Sequence, residues 1–236
     1  MSSTPFTGFP QDGLKFLADL TENNDRDWFN DNKQVYQENI VAPAVAFTKA
    51  LGERLKYLSP HIQYDTQTNG QGSLMRIYRD VRFSKDKSPY KTWVGIRFWE
   101  GAGKKTECPG FFLWFESAAA GFYTGMHGFP KPLLTAYREA VVDDELGSEL
   151  ESAIAAVRSA GAYEIGGEHY KKIPRGFDPD HPRADLLKYN AIYASSPRID
   201  LAKLSSPALV DVCMDHSENT SPLHRWLVKV NQTSGS

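Results

Sequence analysis

The chain contains only two cysteines in 236 residues, Cys108 and Cys213, and neither has a second cysteine nearby. That spacing permits one disulfide at most and excludes a C-x-x-C metal or redox pair. Both read as buried thiols of a reducing compartment. Histidine is scarce too: the six residues include no H-E-x-x-H and no mixed Cys/His cluster, so no metal site is expected. His216 and His224 stand eight positions apart, across an expected break between helices. No apolar run approaches the roughly 18 residues that cross a bilayer. The start, "MSSTPFTGFPQDG", lacks a basic region followed by an apolar stretch. These absences favour a cytoplasmic protein with no membrane partner. A Gly-x-Ser-x-Gly elbow is missing, which argues against an α/β-hydrolase. "GAGKKT" misses the P-loop spacing, because Phe98 stands where the first glycine belongs and Lys105 where Ser or Thr belongs. It reads instead as a glycine-rich hairpin turn with lysines at its tip. No cofactor is expected.

What is present is ordinary in bulk and uneven in placement. Hydrophobic residues make up 41% and charged residues 24%, as in soluble globular proteins. A net charge of −2 argues against a protein that coats nucleic acid along its whole surface. Yet "RIYRDVRFSKDKSPYK", Arg76 to Lys91, holds six basic residues and two acids. No internal repeat, low-complexity tract or clear linker divides the sequence. A single domain over residues 1–236 with short flexible ends is the expectation.

Hydrophobic periodicity changes twice along the chain. Leu14, Leu17 and Leu20 form a helical stripe, "NNDRDWF" reads as a helix start capped by Asn24, and a helix follows through Val41, Val45, Leu51, Leu55 and Leu58. From Leu74 to Ser84 the period becomes two, which predicts a strand with Arg79 as the misfit. "WVGIRFW", "FFLWFE" and "GFYTGMHGF" continue a series of short aromatic strands. Helices return in "LLTAYREAV" and "LESAIAAVRSA", and are expected in "RADLLKYNAIYA", "ALVDVCMDH" and "PLHRWLVKV". The order of blocks predicts an α+β fold: an antiparallel sheet of short aromatic strands in mid-chain, packed against N- and C-terminal helices.

On a strand, Arg76, Tyr78, Asp80 and Arg82 would share one face. Arginine suits an anion site because its planar fork pairs bidentately with carboxylate or phosphate. Arg79 adds a further guanidinium, and Ser84, Lys85, Lys87 and Lys91 add donors around Pro89. In "KKIPRGFDPDHPRADLLKY", Arg175 and His181 are candidates for a second wall, with Asp180 capping the helix that follows. The bland alternative is that Asp80 and Asp86 neutralise two cations and the lysines are solvated surface charges.

The run "MRIYRDVRFSKDKSPYKT", with "GFPQDGLKFLADLTENNDRDWF" and "KKIPRGFDPDHPRADLLKY", resembles the domain-of-unknown-function 2461 family over roughly Phe6 to Trp226. The signature covers Arg76, Tyr78 to Asp80, Arg82 to Lys87 and Pro89 to Lys91. The family carries no assigned activity, so the resemblance brings no catalytic residue with it.

Three functions compete on these residues. The leading one is binding of a small phosphate- or carboxylate-bearing ligand by Arg76, Arg79, Arg82, Ser84, Lys85, Lys87 and Lys91, with Arg175 and His181. Single-stranded nucleic acid is a variant if Trp93, Trp99 and Trp114 form an exposed stacking shelf. The second is an enzyme of phosphoryl or acyl chemistry, with Tyr78, Asp80 and Tyr90 as candidate catalytic groups beside arginines that stabilise negative charge. The third is a module whose arginines meet an acidic protein partner.

Overall fold

In the computed structural model, which describes residues 5–233, five short strands lie between blocks of helix, an α+β arrangement. The strands are β1 Trp93–Trp99, β2 Gly110–Glu116, β3 Ala120–Met126, β4 Glu164–Glu168 and β5 Tyr189–Ser195. They form one antiparallel sheet in the order β1-β2-β3-β5-β4. The aromatic segments foreseen as strands are β1, β2 and β3. Expected flexibility at the chain ends falls on residues 1–4 and 234–236, outside the described residues. Packing divides the chain into two compact units. The first takes the described residues up to Phe98, with Phe112–Phe122 and Arg198–Asp215. The second takes Trp99–Phe111, Tyr123–Pro197 and the described residues from His216 onward.

In the first unit, α1 Gln11–Glu22 buries Leu14, Leu17 and Leu20 along one face. Helix α2, Arg26–Asp31, is capped by Asp25 and not by Asn24: the Asp25 carboxylate accepts from the N–H groups of Asp27 and Trp28, each at 2.9 Å. Helix α3, Lys33–Tyr36, passes into a π-helical turn, Gln37–Val41, before α4, Ala42–Leu58. π-turns widen a helix by one residue and recur at functional sites. Beneath them lies an aromatic core in which the Phe9 ring meets Phe115 at 4.4 Å and Phe47 meets Phe98 at 6.4 Å.

The strand expected from Leu74 to Ser84 does not form. This segment makes two isolated antiparallel bridges, Leu74 with Ile96 and Tyr78 with Tyr90, and residues 80–88 leave the ladder altogether. The cause is local. The Asp80 carboxylate accepts from the Arg82 N–H at 3.2 Å, and the Asp86 carboxylate from the Ser88 N–H at 2.9 Å. Side chains that bond a backbone two residues on favour turns over strands.

In the second unit, α5 Lys131–Val142 and α6 Asp144–Ser159 meet at Asp143, whose carboxylate caps α6 through the N–H groups of Glu145 and Leu146. Met126, Leu133, Tyr137, Leu150, Ile192 and Trp226 anchor its apolar core. Three expectations are corrected here. "RADLLKYNAIYA" is not a helix but a 3₁₀ turn, Ala184–Lys188, running into β5. Its second half alternates, with Ile192 and Ala194 facing the core, and pairs with both β3 and β4. Asp180 caps nothing: its N–H donates to the Asp178 carboxylate, and the 3₁₀ turn starts after Arg183 without a side-chain cap. The last two expected helices are one, Leu209–Thr233, whose residues from His216 onward belong to this unit and include Pro222. Proline removes the N–H that would serve the Glu218 carbonyl, and the Ser221 hydroxyl donates to that carbonyl instead at 2.8 Å. No helix among the described residues is long and apolar enough to cross a membrane.

Candidate ligand-binding site

Residues 73–97 of the first unit fold back on themselves as an interrupted hairpin. The N–H groups of Met75 and Arg97 donate to the carbonyls of Gly95 and Ser73, those of Arg79 and Lys91 to Pro89 and Ile77, all at 2.8–3.0 Å. Pro89 has no N–H to give but serves as an acceptor. Asn24 pins the second arm from outside: its amide donates to the Tyr90 carbonyl and its oxygen accepts the Tyr90 N–H, both at 3.0 Å. A side-chain amide thus imitates a strand partner. The Tyr90 ring stacks on Phe29 at 4.1 Å, so the hairpin is welded to α2.

The cations of the run have different fates. Arg82 forks onto Asp80 through Nε and Nη2 at 2.9 and 2.7 Å. Arg79 pairs with Asp86 at 2.5 Å and donates to the Ser88 carbonyl at 3.2 Å. Lys87 donates to the Val81 carbonyl and Lys91 to the Arg76 carbonyl, at 2.9 and 2.7 Å. Both acids of the run are therefore committed, and so are four of its six cations. Lys85 is exposed, with no side-chain bond among the described residues, and Ser84 contributes its N–H to the Val81 carbonyl. Arg76 likewise makes no side-chain hydrogen bond or ion pair among the described residues, and it does line a pocket.

That pocket has a volume of about 340 Å³. Its apolar wall is built from Phe29, Tyr36, Val41, Leu74, Ile77 and Tyr78. Its polar groups are Arg76, Gln37, Thr68 and Asn69. Gln37 and Val41 open and close the π-turn, which ties that helical irregularity to the pocket. Thr68 and Asn69 come from a loop held by its own side chains. Asp65 accepts from the Gln67 N–H and Asn69 from the Gln71 N–H, and the Asp65–Ser73 pair closes the base at 2.7 and 3.0 Å. Gly70 adopts φ +84°, and the loop passes so near the hairpin that a Cβ there would stand 3.2 Å from the Arg76 Cβ.

The titratable groups divide by environment. Burial pushes the Tyr36 phenol up to about 12, with Tyr78 adding a smaller push in the same direction. Burial also raises the Tyr90 phenol. Bonds from Arg82 hold the Asp80 carboxyl at about 2. Tyr90 and Asp80 are thus fixed as neutral donor and anion through the physiological range, a poor basis for proton transfer near neutrality. Desolvation, then Arg76, lowers the Lys91 ammonium.

The geometry brings Arg76 and Tyr78 into one pocket and turns Arg79, Arg82, Lys87 and Lys91 to holding the hairpin. Arg175 and His181 belong to the second unit. There Arg175 is exposed, and His181 Nδ1 accepts from the Arg183 N–H at 3.1 Å. Trp93, Trp99 and Trp114 are each partly buried. Sequence reasoning missed Tyr36, Gln37, Thr68 and Asn69. The "DTQTNGQGS" run carried turn chemistry that marks an ordered loop, but a π-turn has no sequence signature in one chain. Among the described residues no group of three His, Cys, Asp or Glu side chains is placed to hold a metal ion.

Comparison with known families gives one match: the family model described as "Conserved hypothetical protein (DUF2461)" covers residues 12–226. No curated protein matches.

Proposed function

The chain belongs to the DUF2461 family, and from that premise we propose that its first unit binds a small organic anion in the pocket beside Arg76. One observation carries the reading: in a run where both acids are consumed by other cations, Arg76 lines a pocket without a bond of its own. Arg76 feels Asp80 only at a distance, since that carboxylate is bonded to Arg82. An exposed guanidinium with no hydrogen-bonded partner beside apolar walls favours an anionic guest, through charge-assisted hydrogen bonds that solvent screening holds toward the low end of about 1.5–3 kcal/mol each. The phenols of Tyr36 and Tyr78, the Thr68 hydroxyl and the amides of Gln37 and Asn69 supply neutral donors. At about 340 Å³ the pocket lies at the small end of the range for small-molecule sites.

Isothermal titration of the whole chain with benzoate, acetate, phenyl phosphate and inorganic phosphate, repeated with Arg76→Ala, tests the reading. Saturable binding by at least one probe, weakened at least tenfold in the variant, supports it. Equal heats from both proteins with every probe remove it. A steep fall of affinity for an oligonucleotide with rising salt would instead indicate nucleic acid, since each phosphate contact releases counter-ions.

A further inference from the structure

Resting on that reading, we infer that the anion taken beside Arg76 is a small aromatic monocarboxylate and not a phosphate. The charge count is the first argument. A phosphate monoester brings between one and two negative charges near neutral pH, and sites for it gather several cations or a nest of N–H groups. Here the pocket presents one guanidinium. The neighbouring cations are turned away from it: Arg79 onto Asp86, Arg82 onto Asp80, and Lys91 onto the Arg76 carbonyl with its ammonium 5.2 Å over the Trp93 ring. A single carboxylate matches a single planar fork in charge and shape.

The walls are the second argument. Phe29 stands 5.5 Å from the Tyr36 ring and 6.4 Å from the Tyr78 ring, tilted at 55° and 58°. These rings, with Ile77 and Leu74, make the floor apolar, and Tyr78 at 53% exposure keeps its ring at the mouth. Phe29 and Tyr36 are only 2% and 8% exposed, so Tyr78 offers a guest ring most of the aromatic surface, edge-to-face or offset. An aliphatic acid as small as acetate leaves that surface uncovered. Tyr36 lines the pocket, and its buried phenol stays protonated well past neutral pH, so it is a donor to a carboxylate and does not repel it.

The test is competition among matched probes on the whole chain. Phenylacetate and benzoate are compared with acetate, which lacks the ring, and with phenyl phosphate, which keeps the ring and changes the anion. Dissociation constants come from titration calorimetry, and each measurement is repeated with Arg76→Ala and Tyr78→Ala. The inference expects phenylacetate or benzoate to bind at least tenfold more tightly than both acetate and phenyl phosphate. Arg76→Ala should remove the preference over acetate only in part, and Tyr78→Ala should narrow it. If phenyl phosphate or inorganic phosphate binds as well as the aromatic acids, with the same dependence on Arg76, the carboxylate assignment is wrong while the anion pocket stands. If acetate equals phenylacetate, the aromatic assignment is wrong. If no probe depends on Arg76, the pocket reading fails and this inference falls with it.

Discussion

Arg76 and Asn24 touch the same hairpin, and replacing each by alanine should separate a ligand group from a structural one. Asn24 is partly buried and makes two hydrogen bonds to the backbone of Tyr90, a residue only 4% exposed. Each bond contributes about 0.5–1.5 kcal/mol, and Asn24→Ala leaves a buried N–H without its partner, so the loss is about 1–3 kcal/mol. For a chain of this size that lowers Tm by about 2–4 °C per kcal/mol. Arg76→Ala removes no bond among the described residues, and its effect on stability should stay within about 0.5 kcal/mol. Thermal unfolding by circular dichroism, with calorimetric titration of the aromatic acid on the same samples, reads both quantities. The expected pattern is a crossed one: Asn24→Ala unfolds earlier, whereas Arg76→Ala unfolds with the wild type and loses the ligand. If Arg76→Ala melts as early as Asn24→Ala, its guanidinium is holding the hairpin together, and the argument from an uncommitted cation is refuted.

Other substitutions probe the frame around the pocket. Gly72→Ala would place a Cβ 2.0 Å from the Gln67 carbonyl oxygen and 2.9 Å from that of Asp65, both backbone atoms that cannot swing aside. The loop carrying Thr68 and Asn69 should shift, and probe affinity should fall several-fold in titration while far-ultraviolet circular dichroism stays unchanged. Tyr36 governs an alkaline response. Its phenol sits at about 12 when folded against 10 when free, so its contribution is complete below pH 10 and is lost as pH rises through about 12. Two pH units correspond to about 2–3 kcal/mol, and urea unfolding between pH 9 and pH 12 should show a smaller decline in Tyr36→Phe than in wild type. An equal decline in the two proteins would show that Tyr36 is not the group responsible. In the second unit, Arg183 donates to the carbonyls of Val141 and Asp143 at 2.7 and 2.9 Å with its side chain 10% exposed. Arg183→Ala should cost about 2–4 kcal/mol in denaturant unfolding, and a loss under 1 kcal/mol would show that water replaces those bonds readily.

Where the sequence was informative, the reason was a period long enough to be read from one chain. Leu14, Leu17 and Leu20 mark α1, and the two-residue alternation of "WVGIRFW" matches the bounds of β1. The misreadings share a different cause. From Leu74 to Ser84 the alternation is present, but Asp80 and Asp86 spend their carboxylates on turns, and a short-range bond overrides a pattern that spans few residues. Ala184 to Ala194 shows the reverse conflict: "ADLL" has helical composition, yet pairing of β5 with strands on both sides decides its second half. Pro222 looks like a stop until Ser221 is seen serving the carbonyl that the proline leaves open. The charge density from Arg76 to Lys91 marked the segment that folds back as the hairpin and gave no means of telling which cations lack a side-chain partner. That distinction depends on the geometry of pairs such as Arg79–Asp86, which spacing alone does not fix.

The committed cations also bear on the proposed binding through a single arginine. A ligand that must first order a mobile loop pays for each side chain it immobilises, about 0.5–1.5 kcal/mol apiece. Around Arg76 that ordering is done beforehand. The Lys91 ammonium holds the Arg76 carbonyl, Asn24 and Phe29 fix Tyr90, and the Asp65–Ser73 closure sets the opposite wall. By pairing within the hairpin, the basic residues that look like a collective binding patch in the sequence hold its backbone in place, while Arg76 lines the pocket beside them. On this account Arg79→Ala should weaken probe binding through a looser hairpin, with a larger entropic penalty in calorimetry, whereas Arg76→Ala should act through lost enthalpy at nearly unchanged stability. Identical thermodynamic signatures for the two variants would mean that the run binds as a patch, and the division of labour drawn from its ion pairs would be wrong.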